Sequence, residues 1–416
     1  MKFEVIKRSH VKRNIIIGII VVLILSAIIL TFTKAKYKIT ESIPLVNGTI
    51  NYELSDFNLI GAYIQEGDSY TQVDEIPTSG YEFNVEKSYC TVNNENINAT
   101  LNYDMETQNL TITPLTTKGT KCYLYFDEKA SGGDYILAGD NPPTNSTTDW
   151  TGGTTYYYTG NPNNWVQFGG FWWRIIRING DGSIRMIYQG TSANTTGTGT
   201  QIGINIFNDS QISKVHVGLV YNTSSQHGYG LNSTILGEND SMDTTTLNGW
   251  YNTYLKDYEE YIDTGTGFCS DRNLSRGNTW NDRTLYYAAT DRQSESSASL
   301  QCNSADILSK DNGRLVNPIG LLTSDEAVFN DLTYSENNNT GSYLYTGQIY
   351  WTMSPFNYSE AQTAASVFVV FSSGGLNFYE VEDYSLGVRP VINIRADVSL
   401  TGEGTSTNPF KVVGAS

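Results

Sequence analysis

The chain has 416 residues, 39% hydrophobic and 17% charged, with 26 Lys/Arg against 43 Asp/Glu and a formal net charge of −17. The first 38 residues hold eight of those bases and one of the acids, which leaves the remaining body a formal charge of −24. A surface of that sign repels phosphate backbones and anionic lipid, which excludes nucleic acid as a partner.

Lys2, Lys7, Arg8, Lys12 and Arg13 precede an unbroken apolar run, Ile15 to Phe32, and Lys34, Lys36 and Lys38 follow it. An eighteen-residue helix spans about 27 Å, close to the hydrocarbon thickness of a bilayer. The run predicts a single transmembrane helix over 15–32. The basic excess before it makes 1–14 a cytoplasmic tail and leaves the body extracellular, a single-pass protein of the cell membrane. A cleaved signal peptide competes with this expectation. Its apolar core is usually shorter and ends at a small-x-small site, which Thr33-Lys34-Ala35 matches poorly.

Residues 37–128 carry short period-two segments, such as Leu110 and Ile112, or Cys122, Leu124 and Phe126 alternating with Lys121, Tyr123 and Tyr125. That alternation predicts a small antiparallel β-sandwich. Residues 129–149 contain Ala130-Ser131-Gly132-Gly133 and Asn141-Pro142-Pro143-Thr144, punctuation that predicts a linker or long loop. Residues 150–413 mix strands with fewer helices, so the expected fold class is α+β. Phe171 to Tyr188 predicts a hairpin turning at Asn179-Gly180-Asp181-Gly182. Leu247, Trp250, Tyr251, Tyr254, Tyr258 and Tyr261 recur at helical spacing and predict one helix of about four turns. Ile319 to Leu322 predicts a strand, and Thr323-Ser324-Asp325-Glu326 supplies a capping box for the helix after it. Ser366 to Phe371 and Val388 to Ile394 predict late strands.

Four cysteines form two local couples, Cys90 with Cys122 and Cys269 with Cys302. An even count outside the cytoplasm predicts two disulfides, although other pairings fit the sequence too. Zinc is the competing use. It lacks a C-x-x-C, and His10, His216 and His227 stand far from the cysteines.

Catalytic signatures are few. There is no G-x-S-x-G and no H-E-x-x-H, and paired cysteines offer no thiolate, so no catalytic residue, metal ligand or cofactor is read from the sequence. Asn179 to Ile184 looks like the middle of a calcium loop, but Arg177 and Tyr188 stand where its acidic ends belong. Trp280-Asn281-Asp282 matches the tripeptide that completes the calcium and sugar site of C-type lectins, without the partner motif those sites need. A tryptophan beside oxygen donors nonetheless suits a sugar platform.

The segments Phe83 to Cys90 and Lys121 to Phe126 resemble Ig-like spacer modules of Gram-positive surface proteins. Over about 150–400, the order of aromatic helix, strand with capped helix, Tyr350-Trp351-Thr352-Met353-Ser354-Pro355 and Gly387-Val388-Arg389-Pro390 resembles the C-type-lectin-like fold shared with formylglycine-generating enzymes. It resembles still more closely bacterial surface domains of unknown function that carry the hairpin of residues 173–182, a Phe-Cys like Phe268-Cys269, and a Gly-Val-Arg-Pro-Val ending. The copper-binding cysteine pair of the enzymes has no counterpart at the expected place, so oxidase chemistry does not carry over. Resemblance, predicted anchor and disulfides together imply a membrane-anchored surface protein whose head binds an extracellular glycan or protein, in adhesion or recognition. Trp280, Asp282, Trp351 and Phe356 are the expected contact residues, and Arg389 is expected to be structural. An extracytoplasmic enzyme acting on envelope polymers through Asp271, Asp282 or Asp291 is the alternative. So is a purely structural envelope spacer.

Overall fold

Strand accounts for 37% of the structure and helix for 13%, so the α+β class expected from the sequence is corrected to a largely β fold. The computed structural model describes residues 57–67, 69–77, 81–104, 109–113, 119–226, 228–334 and 339–415. The helix expected over 15–32 and the tail 1–14 lie outside these residues. Among the described residues no helix is long and apolar enough to cross a membrane, so the single transmembrane helix forms no part of the described fold. Among the described residues the α-helices are short: α1 (Gly132–Leu137), α2 (Leu247–Tyr254), α3 (Ala288–Ser294) and α4 (Ser324–Phe329). A chain with 29 tyrosines and 38 glycines favours strands and turns over long helices.

Two units divide the chain at residue 128. The first contains β1 (Phe57–Glu66), β2 (Ser69–Val73), β3 (Tyr81–Val92), β4 (Glu95–Asn96), β5 (Thr100–Asp104), β6 (Asn109–Thr113) and β7 (Thr120–Glu128). Five of these form one sheet in the order β2-β1-β7-β3-β4, and β5 pairs with β6. The sheet is mixed, not antiparallel throughout as expected, because β1 runs parallel to β7. No hairpin joins those two strands, so nothing in the connection forces them to oppose. Cys90, Cys122, Leu124 and Phe126 point into a core with Leu101, Tyr103 and Leu110. Cys90 sits opposite Cys122 in the register of β3 and β7, and the two are bonded. On the other face Tyr63 stacks on Tyr125 at 4.8 Å and Tyr89 on Tyr123 at 4.9 Å, forming a cross-strand ladder.

In the second unit the stretch 129–149, expected as a linker, folds into the domain. Ser131 caps α1 through a capping box with Asp134, and β8 (Asn145–Thr148) pairs with β9 (Thr154–Tyr157). β9 lies beside β11 (Phe171–Ile178), which pairs with β10 (Trp165–Phe168) and with β12 (Ile184–Gly190). The turn between β11 and β12 is the predicted hairpin, and Val391–Ile394 flanks β12. A second sheet of six strands centres on Tyr350–Ser359 and Ala364–Val370. Trp173, Met186, Trp250, Leu322, Trp351 and Val369 belong to one core cluster.

The helix expected over 247–262 is shorter. α2 ends at Tyr254, with Leu255 as its C-cap, and Lys256–Tyr261 continues as a 3-10 helix with no buried residue. Asp257, Glu259 and Glu260 would place negative charge at the carboxyl end of a longer α-helix, where the dipole disfavours it. Ile319 to Leu322 contributes a single bridge, Gly320 to Val391, before Thr323 and Glu326 complete the capping box of α4.

Arg389 is fully buried. It donates to the carbonyls of Tyr188 at 3.1 Å and Leu344 at 3.3 Å and to Gln189 Oε1 at 2.6 Å, with Tyr350 beneath its guanidinium. Lysine cannot serve three acceptors in that planar arrangement. Arg389→Lys is therefore expected to lower stability by roughly 2 kcal/mol, read from the urea midpoint of the purified protein.

Candidate functional site

The four expected contact residues do not gather on one surface. Trp351 is fully buried, donates its indole N–H to the Asn205 carbonyl at 2.8 Å and packs on Phe207. Phe356 lies in the core between Phe368 and Phe378, the latter stacked on it at 3.9 Å. A ligand reaches neither side chain, and both are corrected to core positions. Trp280 is half-buried against Tyr287, and the Lys214 ammonium donates to the carbonyls of Trp280 and Asp282. Asp282 accepts from the Thr279 backbone N–H at 2.7 Å and its hydroxyl at 3.0 Å, bonds that hold its carboxyl below the usual range. That carboxylate is occupied in its own turn.

The acids of the enzyme alternative are likewise committed. Asp271 pairs with Arg292, which also binds Asp325 at 2.7 Å. Asp291 accepts from the Ser275 hydroxyl at 2.6 Å and the Arg276 N–H at 2.8 Å. A further ionic cluster joins Asp149, Arg177, Arg185 and Glu326. Its side chains are at most 1% exposed, which suits a structural role and admits no substrate.

A cleft of about 290 Å³ opens instead among residues the sequence read as a linker and its neighbours. Its walls are Asn141, Asn145, Asn161 and Asn163, the prolines Pro142, Pro143 and Pro162, and Thr144, Thr159, Tyr157 and Tyr158. Three segments supply them: the approach to β8, the end of β9, and the loop before β10. Pro142 and Pro143 stiffen the first by fixing φ. Gly160, at φ +66°, turns the chain from β9 into the loop. Its N–H donates to Asp331 at 3.0 Å and its carbonyl accepts from Tyr343 at 2.6 Å, so the bend is held from outside the cleft.

Beneath the loop lies Arg174, fully buried, over the Trp165 ring at 4.2 Å. It donates to Asn161 Oδ1 at 3.1 Å, to the Pro162 carbonyl at 2.9 Å and to Asn164 Oδ1. Burial lowers its pKa to about 10, which leaves it charged at neutral pH. The loop is thus built on a fixed cation whose donors are taken by Asn161, Pro162 and Asn164.

Across the opening, bonds are long. Asn145 Nδ2 reaches Thr159 Oγ1 at 3.4 Å and Asn163 Nδ2 reaches Asn141 Oδ1 at 3.4 Å, while the Tyr158 hydroxyl holds the Asn141 carbonyl at 3.0 Å. Tyr157 packs edge-on against Phe329. Burial first and the Asp331 charge second raise its phenol pKa, so it remains a neutral donor. No carboxylate, histidine or lysine is among the lining residues. Amides and hydroxyls both donate and accept, so the cleft can bind a polar uncharged group.

Sequence reasoning passed over this site because asparagine, proline and threonine in succession also describe a linker. One signal was present: residues 141–163 hold a single Asp, Glu, Lys or Arg, Asp149, in a chain that is 17% charged. Both disulfides, Cys90–Cys122 and Cys269–Cys302, are formed, as suits an oxidising compartment outside the cytoplasm. The fold and site define a disulfide-stapled, largely β protein of two units with an uncharged cleft in the second. No known protein family, curated protein or solved structure matches the chain.

Proposed function

We propose that this chain is a bacterial surface protein whose second unit binds an extracellular ligand, a glycan or a protein, in adhesion or recognition. The observation that supports it best is the preset cleft: its walls are fixed by Arg174, Gly160 and the prolines, and its polar groups do not titrate near neutrality. Preset walls lower the ordering cost of binding. Two disulfides agree with an address outside the cytoplasm. On this proposal the apolar run of 15–32 attaches the chain to the membrane, and protease added to intact cells removes the body; a protected body refutes the address.

Screening the purified protein on glycan and extracellular-protein arrays tests the binding role. Asn163→Ala opens one wall without touching the core, and is expected to weaken a true ligand roughly three- to tenfold. Hits that survive Asn163→Ala and Tyr157→Ala unchanged would remove the cleft from the proposal.

A further inference from the structure

We infer that the cleft takes a neutral saccharide unit held through its hydroxyls; the inference rests on the cleft being the binding site proposed above. Charge comes first. A stretch as long as 141–163, at the chain's 17% charge content, would hold about four charged residues, yet it holds only Asp149. That carboxylate is buried against Arg177 at 2.8 Å and faces no ligand. A sulfated, sialylated or uronic glycan would find no counter-charge at the cleft, in a unit (129–416) whose 15 Lys/Arg and 28 Asp/Glu leave it a formal charge of −13. A basic peptide would lack the lining carboxylates it needs.

Hydrogen bonding points the same way. The Asn145–Thr159 and Asn163–Asn141 contacts, both 3.4 Å, lie at the edge of hydrogen-bond reach. These weak contacts can yield to a ligand, and a hydroxyl lying beside either pair can accept from the amide and donate to the facing oxygen once the two side chains part. Adjacent sugar hydroxyls supply that alternation of donor and acceptor. One common peptide mode, strand addition, uses an open sheet edge. On β8 the side chain of Gln301 donates to the carbonyls of Thr148 at 3.0 Å and Asp149 at 3.1 Å, which blocks that end of the strand. Pro142, Pro162 and the Tyr157 ring add apolar faces suited to the C–H side of a pyranose. The 290 Å³ volume is just below the usual pocket range of roughly 300 to 1,000 Å³ and suits one sugar unit or a chain end.

Calorimetric titration of the purified full chain tests this, using oligomers of glucose, mannose, galactose and N-acetylglucosamine. Matched uronate, sulfated and sialylated oligomers and a proline-rich peptide are run beside them. At least one neutral series should bind with an affinity that does not change with salt. Tyr157→Ala should weaken it about tenfold or more, and Asn145→Ala or Asn163→Ala roughly three- to tenfold, with far-UV circular dichroism unchanged. If only a charged glycan or the peptide binds, still sensitive to Asn163→Ala, the saccharide inference falls and the binding proposal stands. Sugar binding insensitive to all three variants overturns both. So does the absence of any binding here and on the arrays.

Discussion

Glu326→Gln is expected to destabilise the second unit by roughly 3 to 5 kcal/mol, because it leaves buried guanidinium groups without their shared counter-charge. The Glu326 carboxylate pairs with Arg177 at 3.2 Å and with Arg185, and all three side chains are at most 1% exposed. Arg177 keeps Asp149 at 2.8 Å, but among the described residues Arg185 has no second carboxylate in ion-pair reach, and Nη2 of each arginine already has no hydrogen-bond partner. Glutamine keeps the shape and can still accept from the Thr323 N–H, which Glu326 now does at 2.9 Å. With its one carbonyl on the cap, glutamine turns its NH2 toward the arginines, so the loss reports the missing charge and acceptor there and not the helix cap. Acid titration gives the sign independently. Burial alone would raise the Glu326 pKa, but the Arg185 and Arg177 charges and the bonds from Thr323 outweigh it and hold the carboxyl below its ordinary value. A lowered folded pKa means that the stabilisation is complete above the unfolded value, about 4.3, and is lost as pH falls through the folded one. Asp149 adds in the same direction: burial opposes ionisation there, while Thr151, Thr155 and Arg177 favour it. Urea midpoints measured from neutral to acid pH should show the wild type losing stability on the acid side and the variant starting lower with a shallower fall. A neutral-pH change under about 1 kcal/mol with an unaltered acid limb would show that the cluster carries little stability.

That cluster joins residues as far apart as Asp149 and Glu326, and distance in sequence separates what was legible from what was not. The hairpin through Asn179, the Thr323 to Glu326 capping box and the inward Cys122, Leu124 and Phe126 are each written within a few residues, by period or by cap. Trp351 was misread because Tyr350–Ser359 is buried on both faces, and a strand without a wet side has no alternation to show which residues are inside. Gly132 and Gly133 look like flexible punctuation for a similar reason. A Cβ on Gly133 would meet Ile178 Cγ2 at 2.7 Å and the Gly182 carbonyl at 2.8 Å, so this glycine is there for close packing against the hairpin. Only the partner surface reveals that, and it begins more than forty residues later. The cleft inherits the ambiguity: its asparagines were legible as residues, but Arg174, which fixes the loop from below, makes it a site.

Removing the Cys90–Cys122 bond is expected to be the other large effect, and it should fall on the first unit. The bond closes a loop of 32 residues that contains β4, β5 and β6. Chain entropy alone assigns such a loop roughly 3 to 4 kcal/mol. A small domain typically has about 5 to 15 kcal/mol in all. Both cysteines also belong to the unit's buried core, 1% and 0% exposed, so alanine at both positions removes packing as well as the tether. Hydrogen exchange on the Cys90→Ala/Cys122→Ala variant should show peptides from 81–92 and 120–128 losing most of their protection. Peptides from β11 and β12, in the other unit and with Cys269–Cys302 intact, should keep theirs. The opposing expectation has a physical basis, since β3 and β7 already bring these residues face to face through their backbone ladder. If that ladder were sufficient, protection in 81–92 would survive the double substitution, and the tether's contribution would be confined to the rate of folding.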